Sequence, residues 1–181
     1  MIVVFQHLYP IFDYRERAAA QQERIRKAFA HSHYPYEIVA IQAQEEKRTL
    51  ERLSQDACQG NAEYYAYVHL KGITHPGDEN VVDWCELLEY FLIDCWRNWR
   101  ARLESDADVV GVNLEKLPWP HYAGNFFAMK HSVAKTLMPV NQCENPEQWI
   151  GSSRKAGIVM ASLHDSGTNH YQEPYPPQRY R

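Results

Sequence analysis

Three short apolar runs, residues 2–8, Tyr36–Gln42 and Tyr64–Leu70, alternate with two segments of helical patterning. The first run breaks at Tyr9-Pro10, as a buried strand does. In the segment that follows it, Tyr14, Ala18, Ile25 and Phe29 fall on one helical face. Asp13-Tyr14-Arg15-Glu16 at its start has the form of a capping box. In the second segment, Glu45–Ala57, the residues Leu50, Leu53 and Ala57 recur at i, i+3 and i+7. This β-α-β-α-β order leaves few options. Each crossover is long enough to return the chain to the same edge, so the strands run parallel with helices on the sheet faces. The expectation is an open α/β sheet that binds ligands beyond the carboxyl ends of its strands.

The remainder extends the pattern. Lys71–Asn80 is polar and carries Gly72, Pro76 and Gly77, so it reads as a loop. Asp78 or Asn80 is placed to cap a long helix over roughly 81–104, with Trp84, Leu88, Phe91, Cys95 and Trp99 as its buried stripe. Asp108–Leu114 is a fourth strand, and Pro118 and Pro120 then break the chain. His121–Lys130 reads as a strand with a glycine inside it, and His131–Met138 as a short helix. Pro146–Ile150 is a turn or short helix, and Ile158–Leu163 a last strand. Asp165–Arg181 is a Pro/Tyr-rich tail. It packs along the surface, caps a partner subunit in a homo-oligomer, or forms a loosely held end.

The chain of 181 residues is sized for one domain that buries roughly 70% of its unfolded surface, enough to fold without metal or disulfide staples. Its net charge of −4 argues against a nucleic-acid binder that works by bulk charge. No run approaches the ~20 apolar residues of a membrane helix. Met1-Ile2-Val3-Val4-Phe5 lacks a basic leader and an Ala-x-Ala-like cleavage site. The cysteines Cys58, Cys85, Cys95 and Cys143 form no CxxC pair. Reduced thiols and a cytoplasmic location are the expectation. The nine histidines show no HExxH or close His/Cys cluster, so a dedicated zinc site is not expected. The absence of a Walker loop, GxGxxG or GxSxG removes support for P-loop NTPases, dinucleotide dehydrogenases and α/β-hydrolases.

With a parallel sheet, three strand ends converge: Gln6-His7-Leu8-Tyr9, Gln42-Ala43-Gln44 and His69-Leu70-Lys71-Gly72. A cation such as Lys71 can hold a phosphate, and Gly72 lets backbone approach a ligand closely. A core histidine with a solvated lysine fits the pattern equally. In His121-Tyr122-Ala123-Gly124-Asn125-Phe126-Phe127, the glycine marks either a bulged core strand or a close ligand approach, and Asn125 can read a sugar hydroxyl. Glu147, beside Trp149, is a candidate general base or a solvated turn acid. His164 and Asp165 end the last strand and are candidate metal or diphosphate ligands. Asp106-Ala107-Asp108 spells Asp-x-Asp but precedes a strand, and reads as a solvated turn.

Taken in order, Tyr67-Val68-His69-Leu70-Lys71-Gly72, the Trp84 to Trp96 helix, Gly111-Val112-Asn113, His121-Tyr122-Ala123-Gly124-Asn125-Phe126-Phe127-Ala128 and Glu147-Gln148-Trp149-Ile150-Gly151 resemble a group of glycosyltransferases of polysaccharide biosynthesis, over about residues 2–175. The resemblance implies a GT-A-like (Rossmann-like), mostly parallel sheet flanked by helices. Within one domain, residues 1–115 would form a nucleotide-binding half, 116–170 an acceptor half and 171–181 an extended tail. It implies a nucleoside-diphosphate sugar as donor and a glycan as acceptor. Gln6, His7 and Gln42 would line the nucleotide pocket. His69 and Lys71 would stand where such folds carry Asp-x-Asp, with Gly72 beside them binding substrate. His121, Tyr122, Gly124, Asn125 and Trp149 would bind substrate, Glu147 would be the acceptor-side base, and His164 a diphosphate or metal ligand. Without Asp-x-Asp, a Mn²⁺ or Mg²⁺ requirement is open, and Lys71 could neutralise the leaving diphosphate in its place. Two other readings are a non-catalytic nucleotide-sugar- or glycan-binding module and a metal-dependent hydrolase using the histidines.

Overall fold

In a computed structural model that describes residues 1–181 apart from 11–13, 31, 61, 73–74, 76 and 154–156, the apolar runs form three parallel strands. These are β1 (Ile2–Leu8), β2 (Tyr36–Gln42) and β3 (Tyr64–His69), joined by α1 (Tyr14–Phe29) and α2 (Glu46–Gln59). Asp13 of the capping box lies outside the described residues. After α3 (Glu79–Glu89) and α4 (Trp96–Ser105) come β4 (Val109–Gly111), β5 (Leu114–Glu115), β6 (His121–Tyr122), β7 (Phe127–Lys130), α5 (His131–Ala134) and β8 (Met160–Ser162). The result is one mixed α/β domain with a six-stranded sheet in the order β2-β1-β3-β7-β4-β8. β7 is antiparallel to both neighbours, while β4 and β8 pair in parallel, so within this sheet every strand but β7 points the same way.

Side chains alternate across this sheet with the period of two that strands impose. Ile2, Val4, Ala66, Val68, Phe126 and Ala128 face one layer, which holds α1, α3 and α4 through Ile25, Leu88, Trp96 and Trp99. Val3, Phe5, Tyr65, Tyr67, Phe127 and Met129 face the other, against Leu50, Leu53, Val133 and Trp149. The continuous apolar runs are explained by helices on both faces.

The sequence reading differs from the structure at the long helix and at two of the expected strands. The long helix is interrupted at Tyr90–Asp94 by a π turn, in which the Cys95 amide donates to the Tyr90 carbonyl. Asp78 caps its start, accepting from the Asn80 and Val81 amides. The strand expected over His121–Lys130 is two strands in different sheets, because β6 pairs with β5. Between them the Asn125 amide donates to the Tyr122 carbonyl, and Gly124 takes a φ of 85°, the left-handed value this tight turn demands. The strand expected over Asp108–Leu114 likewise ends at Gly111, where an added Cβ would fall 2.4 Å from the Tyr122 ring. Of the arrangements open to the tail, the structure shows it packed on the domain. Tyr175 is buried and stacks in parallel with Tyr180, His164 stacks on Phe91, and Arg181 bonds Glu86.

The Asp-x-Asp at 106–108 is only half a solvated turn. Asp106 is exposed, but Asp108 is half-buried, pairs with Lys130 at 3.0 Å and accepts from the Val159 amide. The four cysteines are free thiols. No helix among the described residues is long and apolar enough to cross a membrane.

Candidate functional site

β1 and β3 run side by side with His7 opposite His69, so both imidazoles leave the sheet on the face covered by α2. Beyond these strand ends lies a cleft of about 220 Å³, lined among others by Tyr9, Glu46, His69, Lys71, Asn125 and Glu147. Because β7 is reversed, the turn that precedes it reaches the same sheet edge as the ends of β1 and β3. That reversal brings Gly124 and Asn125 to His69, with His69 Nε2 2.8 Å from the Gly124 carbonyl.

The protonation pattern follows from the partners. A carbonyl can only accept, so His69 Nε2 carries the proton and donates. Burial pushes the His69 pKa down, outweighing the raising effect of Glu46, so the ring is neutral and Nδ1 is a bare acceptor. This Nδ1 has no partner among the described residues. Asn125 is similar. Its Nδ2 donates to Glu46 Oε1 at 2.5 Å, which fixes the amide orientation and leaves Oδ1 buried and unpartnered. Two orphaned acceptors on residues that line one cleft suit a ligand rich in hydroxyl donors.

Glu46 organises the floor. Besides Asn125 it accepts from the Tyr67 hydroxyl at 2.8 Å and lies within 3.5 Å of the Tyr9 hydroxyl. Both tyrosines are raised above their ordinary pKa, first by burial and then by the Glu46 charge. His7 Nδ1 meets Thr49 Oγ1 at 2.8 Å, and burial pushes its pKa down to about 4. Lys71 rests its amino group 4.1 Å above the Trp84 ring, a cation–π contact, and makes no ion pair among the described residues. Arg17 reaches the Lys71 carbonyl at 2.9 Å. At Gly72 (φ 71°) an added Cβ would fall 2.3 Å from Val81 Cγ1, so only glycine fits. Behind the cleft a buried network holds α1 to the sheet. Gln21 accepts from Gln6 and donates to Glu89 and to the His69 carbonyl, and Glu89 is bound by Arg24.

Of the residues the sequence nominated, His69, Lys71, Gly72, Asn125 and Glu147 line the cleft, with Gly124 bonded to His69 and His7 beside it in register. The others are elsewhere. Gln6 has the opposite parity to His7 and is spent on Gln21 and the Ala18 carbonyl under α1. Gln42 is exposed at the end of the edge strand β2. Tyr122 is a core clamp whose hydroxyl donates to the Val109 and Ala161 carbonyls. His121 bonds the Trp119 carbonyl, and Trp149 is fully buried with its indole donating to Met138. His164 is spent on Tyr175 and Phe91. Glu46 was missed. A first-turn glutamate of a helix reads as a dipole partner, and only the fold shows what it meets.

Among the described residues no group of three or more His, Cys, Asp or Glu could hold a metal ion. Glu46 is already committed to neighbouring donors and a lysine stands beside His69, so among the described residues the cleft offers a divalent cation one uncommitted carboxylate, Glu147.

Stability should report the buried imidazoles. His7 and His170 both have pKa values pushed down to about 4, mainly by burial. An unfolded chain takes up these protons near pH 6.5, which the folded chain resists. Stability is therefore full above about pH 6.5 and lost as pH falls toward 4, by ~3 kcal/mol for each group. Urea unfolding at pH 7 and pH 4.5 should show a fall of several kcal/mol, and His170→Gln should make it shallower. A flat profile would contradict the assignment.

No curated protein and no solved structure matches the chain. A scan of protein families matches residues 13–173 to one described as a domain of unknown function, DUF8361. With nearly its whole length covered, the chain belongs to that family.

Proposed function

We propose that the chain is a glycosyltransferase of GT-A-like architecture that moves a sugar from a nucleoside-diphosphate sugar to a glycan or polysaccharide acceptor. The observation that carries this reading is Lys71, a cation with no ion pair among the described residues, at the end of a central parallel strand and in a cleft lined by residues that carry orphaned buried acceptors. Support also comes from the sheet, in which a single reversed strand sits between two parallel blocks.

In this reaction the bond from the sugar's anomeric carbon to the diphosphate oxygen breaks, and its electron pair leaves with the diphosphate. The acceptor hydroxyl oxygen bonds the anomeric carbon, and its proton goes to a carboxylate. Lys71 stabilises the departing negative charge, moving off the Trp84 ring to reach it. Glu147 takes the proton. It stands on the turn Pro146–Gln148, where the Asn145 side chain accepts from its backbone amide. His69 Nδ1 and Asn125 Oδ1 accept from donor hydroxyls, which orients the sugar.

A non-catalytic binding module is the second reading. It is favoured by the commitment of Glu46, which leaves Glu147 as the only carboxylate lining the cleft with no side-chain hydrogen bond among the described residues. Incubation with a panel of nucleotide sugars and acceptor glycans separates the two. Release of nucleoside diphosphate with transfer supports the enzyme, saturable binding without turnover supports the module, and binding of no nucleotide sugar sinks both.

A further inference from the structure

A larger cavity, about 630 Å³, adjoins the cleft and shares Tyr171 with it. It lies between the turn after β4 and the segment 165–171. Its chemistry differs from that of the cleft. Among the described residues its charged lining is Glu115 and Asp165, with no lysine or arginine, so it is less suited to phosphate than the cleft is.

Two of its lining residues hold buried donors without partners. Trp84 Nε1 has none among the described residues, and an indole N–H can only donate. His170 takes one more step. The Ser166 amide donates to Asn113 Oδ1 at 2.8 Å, which orients the Asn113 amide. Asn113 Nδ2 therefore donates to His170 Nε2, 3.0 Å away. With Nε2 accepting, the neutral ring carries its proton on Nδ1, which has no partner among the described residues. The Trp84 and His170 rings stack nearly parallel, 5.3 Å apart, so the two donors belong to one rigid unit. At the mouth, Tyr171 is 57% exposed and meets Trp84 edge-on. A large exposed ring beside carboxylate and carboxamide groups and unpaired N–H donors suits a sugar. The ring takes the apolar face, the carboxylates accept from hydroxyls, and the donors serve ring, hydroxyl or acetamido oxygens.

We propose that this cavity binds a neutral or N-acetylated pyranose, with Tyr171 as its stacking platform, and is the acceptor site of the transfer. Sugar binding stands on the cavity alone, whereas the acceptor role rests on the glycosyltransferase reading.

The test is a titration of ¹⁵N-labelled full chain with glucose, galactose, mannose and N-acetylglucosamine, each at ~100 mM, far above a ~1 mM Kd. The Trp84 indole resonance is assigned with Trp84→Phe. At least one sugar should shift that resonance saturably. Tyr171→Ala should weaken binding ~10-fold, the loss of one ring contact, while Tyr171→Phe retains it. No shift by any of the four sugars overturns the proposal. So does equal binding by Tyr171→Ala, or a shift caused by uridine and by none of the sugars. Uridine diphosphate, followed at the Lys71 and Gly72 amides, reports separately on the cleft. Sugar binding without nucleotide binding removes the transferase reading and keeps the sugar site. Nucleotide binding without sugar binding does the reverse.

Discussion

Lys71→Ala is expected to lower kcat for sugar transfer by ~10²–10³-fold, the loss typical when one preorganised charge-stabilising group is removed from a reacting site. The fold should survive, because Lys71 is half-buried and its contact with Trp84 contributes only ~1 kcal/mol. Lys71→Arg keeps the charge but replaces a compact ammonium with a planar fork, and should recover part of the rate. The measurement is nucleoside-diphosphate release under saturating donor, beside a melting curve. An alanine variant that turns over at the parental rate would remove Lys71 from the mechanism.

Glu46→Ala is expected to cost stability and binding together. It strips the acceptor from Tyr67 and Asn125, both buried, and each orphaned donor costs ~1–3 kcal/mol. The sum, ~2–6 kcal/mol, rivals a large fraction of what holds a domain folded. Glu46→Gln retains one acceptor oxygen and should lose less. Urea midpoints of the pair measure this directly, and an unchanged midpoint in Glu46→Ala would show that the floor is not built around this carboxylate.

Much of this architecture was written in periodicity. The three parallel strands and both crossover helices follow from alternating apolar runs and helical stripes, because helices on both faces demand that pattern. What periodicity cannot carry is where strands of one or two pairs stop. Apolar residues flank Gly124 and Asn125 from Tyr122 to Met129, as in one bulged strand, yet left-handed backbone at these two residues turns the chain between two sheets. The same limit applies to the cleft. His69, Lys71 and Gly72 are contiguous, so one strand end delivers them together. Gln6 and His7 are also contiguous, but adjacent residues on a strand leave on opposite faces, and only the identity of the covering helix decides which one meets a ligand. Glu46 joined the cleft through tertiary contacts with Tyr67 and Asn125, for which no local pattern exists.

The reversed strand β7 is short and hydrogen-bonded on both sides, with Phe127 set between Tyr67 and Gly111. Its neighbours alternate strictly between the two cores, Phe126 and Ala128 to one and Phe127 and Met129 to the other. A single-residue insertion or deletion within it would slip the register and exchange the two sets, sending each side chain to the layer shaped for its neighbour. Length here is therefore as constrained as composition, while the stretch around Leu117, 82% exposed, is free to grow or shrink. Homologues that vary in size should place their extra residues there.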